Sequence, residues 1–416
     1  MAAPSNTLQT ISMITPDAAA ILSNNLVLAK RVARDWDDDF GVKGAKIGQT
    51  INVRRPARYN IRTGTVVDIQ AQTETYSPLT FTVPIGVDTS FTSQELTFSF
   101  DDVSKRLVAP AIKRIANQVE AIGMQLINNV YNAVGTPGTA LTSSTALDAI
   151  LNAMVLLQQN DAPIEDGMSS SFNGPAFNAI LASNGRTLFN PQKEIGEIYI
   201  KGLQGEFGGA SHFLSQLVLP HTNGTVAATG DATVTSTPTN PSESQYPLSG
   251  SLAVTVGTSG HAPNVGDIFT IAGIYSVNPQ TKTSYSTLQQ FTVTGVAGSG
   301  TAYTWQVSPA LNSSGPFQNV SALPAPGAAI SMLGGSGVST QNALVLHRDA
   351  FMLANKELEL PGGVEFAAYE MDPETGIGIR YVRQFDIRTN QVVDRFDTMV
   401  AWATLYEQLA ARICTN

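Results

Sequence analysis

The stretch Asp101–Val134, DDVSKRLVAPAIKRIANQVEAIGMQLINNVYNAV, carries the strongest helical pattern in the chain. Apolar residues recur at intervals of three and four, which places them on one face of an amphipathic helix. They are Val103, Leu107, Ala111, Ile115, Val119, Ile122, Leu126 and Val130. Asp101 or Asp102 is a suitable N-cap, and Pro110 is expected to kink the helix or divide off a short first turn. The pattern predicts one long helix that covers a core.

The segment before this helix, Lys46–Phe91, is strand-like. Ile47–Arg54 alternates apolar and polar side chains, and further runs follow at Tyr59–Val67 and Leu79–Val87. These runs contain too few apolar residues to close a core, and an isolated ribbon is marginal in water. We therefore expect the ribbon to lean on something else, most simply another subunit. Residues 1–45 are expected to form an arm with helical content.

The residues after the long helix alternate between helical and strand patterns. Periodicity predicts a helix at Thr145–Asn160 capped by Ser144 or Thr145, a strand at Ser169–Asn173, a short helix at Ala176–Ser183, a strand at Ser215–Leu219, a long strand at Gly376–Thr389, and a further strand and helical tail within Val392–Ile413. These elements predict a mixed domain of helices and strands.

The segment His221–Thr340 is almost free of charge. Its only Asp, Glu, Lys or Arg residues are Asp231, Glu243, Asp267 and Lys282. Short β-branched runs between turn residues predict a small barrel or sandwich. They lie at Leu252–Val256, Asp267–Ile271, Gln290–Thr294 and Tyr303–Val307. The change in composition indicates an inserted all-β domain, and the glycine-rich stretch after Gly334 is interpreted as a flexible joint.

Composition limits the possible classes of protein. The chain has 416 residues, which predicts two or three folding units, and only 14% are charged, which is typical of a surface covered by other chains. A net charge of −9 argues against wrapping nucleic acid. No signal peptide or apolar run of membrane-spanning length is expected, and the lone Cys414 predicts an inert, buried thiol in a cytoplasmic setting.

No pattern predicts catalysis, a cofactor or a metal. The four histidines, His212, His221, His261 and His347, stand in no zinc-binding arrangement, and the glycine-rich stretch lacks the lysine of a phosphate loop. The acidic residues Asp394, Asp397 and Glu407 have no evident partner in the sequence. The chain is therefore predicted not to be an enzyme.

One basic cluster lies on the ribbon, at Arg54, Arg55, Arg58 and Arg62. It is either a solvated hairpin face or a surface that pairs with carboxylates of a neighbouring subunit, since Arg binds carboxylates through two parallel hydrogen bonds. Nucleic-acid binding is the weaker interpretation, because no aromatic-rich surface accompanies the cluster.

The order of these segments resembles that of tailed-phage major capsid proteins with the HK97 fold, and more narrowly the P22 coat protein family. Three short motifs are similar to that family: the strand Val265–Ile274 (VGDIFTIAGI), the ribbon Gly48–Pro56 (GQTINVRRP) and the helix Pro110–Glu120. Each motif is weak alone, and the resemblance rests on their order over nearly the whole chain.

The resemblance implies an α+β, HK97-like fold with an inserted all-β domain. Its parts would be an N-terminal arm (1–45), an E-loop ribbon (46–94), a spine helix of the peripheral domain (95–135), the first part of the peripheral and axial domains (136–220), the insertion (221–340), and returning strands with a C-terminal tail (341–416). In the family a loop of the insertion makes charged contacts across capsomers. Glu243 is the only charge in the matching stretch here, and it joins the four arginines as a candidate contact.

The function implied by the resemblance is self-assembly as hexamers and pentamers into an icosahedral shell around double-stranded DNA. The implied partners are a scaffolding protein, a portal and decoration proteins, with no sequence-specific DNA contact and no membrane. Such shells assemble in the cytoplasm of a host bacterium. Two alternatives are an encapsulin-like compartment that encloses cargo and an extracellular β-rich adhesin.

Overall fold

The computed structural model describes residues 18–19, 22, 26–34, 50–56, 58–59, 62, 64–67, 69, 75–81, 84–92, 108–163, 167–187, 206–207, 209–239, 250–372 and 375–416. The chain divides into two compact units. The first unit comprises Met1–Val53, Pro78–Gly123 and Met352–Ala403, and the second comprises Arg54–Ser77, Met124–Phe351 and Thr404–Asn416. The fold is mixed, with more strand than helix.

The regular elements are as follows in chain order. The helices are α1 (Ala109–Gln125), α2 (Ala146–Gln159) and α3 (Gly174–Thr187), with 3₁₀ turns at Leu126–Asn129, Arg348–Ala350 and Glu407–Leu409. The strands are β1 (Thr50–Arg55), β2 (Thr75–Thr80), β3 (Ile85–Thr92), β4 (Ala133–Val134), β5 (Met168–Phe172), β6 (Glu206–Phe207), β7 (Ala210–Leu214), β8 (Pro220–Thr222), β9 (Ala232–Val234), β10 (Gly250–Val256), β11 (Ile268–Val277), β12 (Ser284–Ser299), β13 (Ala302–Ser308), β14 (Ala329–Met332), β15 (Ser339–His347), β16 (Phe351–Asn355), β17 (Phe366–Met371), β18 (Gly378–Asp386), β19 (Gln391–Thr398), β20 (Val400–Thr404) and β21 (Ala410–Thr415).

Helix α1 is shorter than the sequence predicts. It changes to a 3₁₀ turn at Leu126, and Val130 is already extended, so the expected helix up to Val134 is wrong in its last turns. At this point a backbone carbonyl bonds to a side chain outside the helix: Thr292 Oγ1 donates to the carbonyl of Asn128 at 2.9 Å. Pro110 is the second residue of α1, where its missing N–H costs no helical hydrogen bond. Residues 101–107, with both candidate caps, lie outside the described residues.

The buried face of α1 includes Ile112, Ile115, Ala116, Val119 and Glu120. Glu120 is 2% exposed, and its carboxylate accepts three backbone N–H groups, from Val27 at 2.9 Å, Leu28 at 2.8 Å and Ala29 at 3.0 Å. Burial raises the pKa of Glu120, although these hydrogen bonds and Arg31 oppose the shift. This carboxylate thus fastens part of the N-terminal segment to α1.

The first unit contains an antiparallel sheet in the order β17–β18–β19–β3. Strand β3, the last run of the predicted ribbon, pairs with β19 of the same chain over eight residues from Ile85 to Thr92. This part of the ribbon therefore leans on another element, as expected, but that element belongs to its own chain rather than to another subunit.

Two aspartates of this sheet have partners that the sequence did not indicate. Arg383 is paired in register with Asp394, and its Nε and Nη2 donate to the carboxylate at 2.6 and 2.9 Å. Arg380 is likewise paired in register with Asp397, and its Nη2 donates to Asp397 Oδ2 at 2.6 Å. The expectation that these carboxylates lack partners is wrong, because cross-strand neighbours depend on a register that sequence spacing does not show.

The ribbon strands β1 and β2 form a two-stranded sheet. Ile51, Leu79 and Phe81 are buried in a cluster that also contains Met352, Ala354 and Ala401. The described residues between 58 and 69 contain no strand, so the predicted strand at Tyr59–Val67 is not observed there.

The second unit contains a seven-stranded sheet in the order β4–β21–β15–β5–β7–β6, with β8 paired to β15. The expected helical tail is instead the strand β21, whose six residues are all buried between β4 and β15. Burial on both faces removes the period that distinguishes strand from helix, so the short apolar run was ambiguous. The strand predicted at Ser215–Leu219 lies earlier, at Ala210–Leu214.

Helices α2 and α3 confirm the sequence prediction within a few residues. Helix α2 buries a face of six small and apolar side chains: Ala146, Ala149, Ile150, Ala153, Met154 and Leu157. Thr145 occupies the N-cap position, but its side chain does not cap the helix. Its Oγ1 instead accepts from the backbone N–H of Thr142 at 3.0 Å.

The remaining strands of the second unit form a closed antiparallel barrel in the order β10–β13–β12–β11–β14–β9. The four predicted β runs of the charge-poor segment all lie in its strands. Its core contains the fully buried side chains of Phe269, Phe291 and Trp305, with ring centroids 5.5 Å apart for the Phe pair and 5.4 Å for Phe269–Trp305. Because the barrel is closed, each of its strands is paired on both sides and it has no exposed edge strand. It therefore needs no charged residues to prevent edge pairing with another chain.

Candidate functional site

The four ribbon arginines have different environments. Arg54, Arg58 and Arg62 are exposed, whereas Arg55 is 4% exposed. Arg55 Nε donates to Ser77 Oγ at 2.7 Å, and its guanidinium lies 5.1 Å from the centroid of the Tyr406 ring. Arg54 and Arg55 differ in exposure because they are neighbours on strand β1, where successive side chains point to opposite faces. Arg55 is therefore a packing residue, and only the other three can meet a second molecule.

The exposed arginines are partly held by the chain itself. Arg58 lies 5.6 Å from the centroid of the Phe317 ring, in cation–π contact. Arg62 Nη1 donates to the carbonyls of Gly64 and Val66, the latter at 2.7 Å. These contacts orient the two guanidinium groups at the surface of the chain.

Exposed apolar side chains lie in the same segment of the chain as Arg58 and Arg62, in the described part of residues 58–69. Tyr59 is 59% exposed, Val66 83%, Val67 72% and Ile69 89%. We call Arg54, Arg58, Arg62 and these four apolar residues the ribbon surface. Large apolar side chains this exposed within one short segment are typical of a protein interface. Glu243, the fifth candidate contact, lies outside the described residues, so its relation to the arginines stays a prediction.

The barrel is joined to the seven-stranded sheet through a buried cation that sequence reasoning missed. Arg412 of β21 is 1% exposed. Its Nε donates to the carbonyl of Val130 at 2.9 Å, its Nη1 to the carbonyl of Gly266 at 2.8 Å, and its Nη2 to Thr292 Oγ1 at 3.0 Å. One side chain thus uses all three guanidinium nitrogens, and two of the three acceptors belong to the barrel.

A second polar contact joins the same two parts. The side-chain amide of Gln290 in β12 accepts from Ala133 N–H at 2.8 Å and donates to the Ala133 carbonyl at 3.0 Å. Ala133 belongs to β4, the outermost strand of the sheet order. The Gln290 amide therefore makes the two hydrogen bonds to the Ala133 backbone that an additional strand next to β4 would make.

The two aspartates of the charge-poor segment both pair with histidines. His221 Nε2 lies 2.7 Å from Asp267 Oδ1, and His261 Nδ1 lies 2.6 Å from Asp231 Oδ2. Each aspartate also accepts two backbone N–H groups: those of Gly224 and Asn264 for Asp267, and those of Ala227 and Thr258 for Asp231. The sequence signal for both sites is a Gly-Asp pair directly before a strand, Gly230–Asp231 and Gly266–Asp267. Both glycines have positive φ, a backbone conformation that favours glycine.

The glycine-rich stretch after the barrel, interpreted as a flexible joint, makes hydrogen bonds to residues that precede the barrel; its flexibility stays a prediction. Asn223 Nδ2 donates to the carbonyls of Leu333 at 3.0 Å and Gly335 at 3.2 Å, and Gly337 N–H donates to the Gly224 carbonyl at 3.0 Å. Gly334 has a φ of +91°, and a Cβ there would approach Pro137 Cβ to 2.8 Å. Glycine is thus required for packing.

The described residues contain no group of three or more His, Cys, Asp or Glu side chains placed to hold a metal ion. Among the helices of the described part, none is long and apolar enough to cross a membrane. Cys414 is 3% exposed, and burial raises the pKa of its thiol to about 11. This agrees with the prediction of a buried, inert thiol.

Several solved structures are similar to the chain. The solved structures similar to it include a chain from Mycobacterium phage Che8, with 10% identity, a TM-score of 0.48, and coverage of 93% of this chain and 90% of that one. A chain of the bacteriophage PhiM1 mature capsid has 10% identity, a TM-score of 0.44, and coverage of 89% and 82%. The CUS-3 coat protein I-domain has 33% identity and a TM-score of 0.19, and covers 25% of this chain and 95% of that one.

A search of curated proteins found no match. The family model described as P22 coat protein, gene protein 5, matches residues 1–410. Because that match spans nearly the whole sequence, the chain belongs to the P22 coat protein family and is a phage major capsid protein.

Proposed function

We propose that this capsid protein assembles as hexamers and pentamers into an icosahedral shell that encloses double-stranded DNA. The observation that carries the proposal is the ribbon surface, which exposes three arginines and four large apolar side chains in a member of a coat protein family. Many copies of a modest contact add up in a closed symmetric shell. The role is structural rather than catalytic, and neither the cargo compartment nor the adhesin is favoured by the family match.

The proposed organisation is the HK97-like one, with residues 46–94 as E-loop, 95–135 as spine helix and 221–340 as an inserted domain. The pairing of β8 with β15 supports the insertion. Thr222 is in register with Ser339, and His221 with Thr340. The chain therefore leaves the sheet and returns to it at adjacent positions, with the whole barrel between them.

The ribbon surface is proposed to bind a neighbouring copy through two kinds of contact. Its apolar side chains would be removed from water, which contributes about 25 cal/mol for each Å² buried. Its arginines would pair with carboxylates, which the chain has in excess, with 33 Asp and Glu against 24 Lys and Arg. A scaffolding protein, a portal and decoration proteins are the further partners proposed, with assembly in the host cytoplasm.

The test is co-expression of a Val66→Ser, Ile69→Ser variant with the scaffolding protein, followed by electron microscopy. We expect folded subunits that form no shells, because both side chains lie exposed on the ribbon surface. The matched control is Val265→Ser, an exposed valine of the barrel that is 48% accessible, which should assemble normally. Normal shells from the ribbon variant would refute the proposed contact.

A further inference from the structure

We infer that Arg412 is a positioning residue that makes the stability of strand β21 in the seven-stranded sheet depend on the folded barrel. Strand β21 supplies the cation, and the barrel supplies two of its three hydrogen-bond acceptors, the Gly266 carbonyl and Thr292 Oγ1. The coat function does not require this coupling, so the inference stands apart from the assembly proposal.

The first argument is the cost of a buried charge. Arg412 is among the largest fully buried side chains described. Burial lowers its pKa to about 10, so the guanidinium still carries its charge at neutral pH. A buried cation is tolerated only where acceptors and opposite charge surround it, and removing one partner is strongly destabilising.

The second argument is the source of the opposite charge. Asp267 follows Gly266 directly, and its charge favours the protonated form of Arg412. The carboxylate is 2% exposed and is held by Gly224 N–H at 2.9 Å, Asn264 N–H at 2.9 Å and His221 at 2.7 Å. Its position therefore depends on the folded barrel.

The two arguments together link the stabilities of the two parts. If the barrel unfolds, Arg412 loses the Gly266 and Thr292 acceptors and the fixed charge of Asp267 in one step. The cation then remains inside the sheet with only the Val130 carbonyl at 2.9 Å among the acceptors described above. The sheet cannot retain β21 in that state, so barrel opening should open the sheet as well.

The experiment is hydrogen exchange on the full-length, unassembled subunit with two substitutions combined. Val254→Ala weakens the barrel core far along the chain from Arg412, since Val254 is fully buried in that core. Arg412→Met replaces the cation by an apolar side chain of similar length, and such exchanges of buried charges are often neutral or stabilising. Exchange is followed in peptides from β13 of the barrel and from β21 of the sheet.

In the wild-type background we expect Val254→Ala to accelerate exchange in both peptides by roughly tenfold, the factor for loss of buried methyl groups. In the Arg412→Met background the same substitution should accelerate β13 alone and leave β21 within about twofold. Acceleration confined to β13 in the wild-type background would overturn the inference. Equal spread to β21 in both backgrounds would overturn it too.

If Arg412→Met does not fold, Thr292→Val serves in its place, with Thr294→Val on the same strand as its control. Thr292→Val removes one barrel acceptor but keeps the cation, so it should accelerate exchange in β21 as well as in β12. Thr294→Val should leave β21 unchanged. Unchanged exchange of β21 in Thr292→Val would contradict a role for Arg412 in coupling the two parts.

Discussion

Individual polar residues hold this coat protein together at points where the chain has few charges to use. Glu120 gathers three backbone N–H groups of the N-terminal segment, and Asp231 and Asp267 each gather two in the barrel loops. The described carboxylates of the charge-poor segment thus organise its loops from within.

The loop carboxylate Asp231 should make barrel stability depend on pH. Burial opposes its ionisation, but hydrogen bonds from His261, Ala227 and Thr258 outweigh that effect and lower its pKa below 3.8. A lowered pKa in the folded state adds stability that is present above pH 3.8 and is lost as pH falls through the folded pKa. Asp231→Asn should unfold at a lower temperature than wild type at pH 6, and the difference should shrink below pH 3.8.

Thermal unfolding followed by circular dichroism between pH 2 and pH 6 measures this difference. A gap between wild type and Asp231→Asn that stays constant over the whole range would show that ionisation of Asp231 does not stabilise the barrel.

Among the elements, the C-terminal strand β21 is short but makes contacts with several other parts of the fold. It lies between β4 and β15 and also carries Arg412 toward the barrel. The sequence pattern predicted a strand and a helical tail within Val392–Ile413. As an inner strand, β21 is instead part of the core.

Substitution of Ile413 tests the inner position of β21. Ile413 is fully buried, whereas Asn416 at the chain end is exposed. Ile413→Ala should lower the free energy of unfolding by about 2–5 kcal/mol through lost burial and a cavity, measured by urea unfolding. Asn416→Ala is the control and should change it by less than about 0.5 kcal/mol. Equal stability of the two variants would contradict a core role for this strand.

For the assembled protein, the distribution of charge predicts how salt acts on shells. Contacts through the arginines of the ribbon surface should weaken with salt, since the Debye length falls from about 10 Å at 0.1 M to about 3 Å at 1 M. Contacts through the charge-poor segment should depend little on salt, because three of its four charges, Asp231, Asp267 and Lys282, are used inside the subunit.

Arg54→Gln, Arg58→Gln subunits should therefore assemble less well than wild type at low salt and respond less to added salt. Light scattering at increasing NaCl measures this response. Arg388→Gln is the control, because Arg388 is 88% exposed but lies outside the ribbon surface. The ribbon contact would be non-ionic if the double variant and wild type showed the same salt dependence.

The sequence alone was sufficient for elements with a clear period and for the composition boundary. Helix α2 and four of the six barrel strands overlap the segments that periodicity predicts, because their apolar residues meet a core on one side only. The short strands β9 and β14 were not predicted. The burial of Cys414 was also predicted from the sequence.

Tertiary structure decided what depends on register and long-range contact. The partners of Asp394 and Asp397 lie on a neighbouring strand, and the acceptors of Arg412 lie 120 to 282 positions away in the chain. Burial of β21 on both faces likewise overrode local helical preference. Local periodicity shows only which face of a single helix or strand is buried. A buried charge is stabilised by hydrogen-bond partners from distant parts of the chain, and only the complete fold places those partners around it.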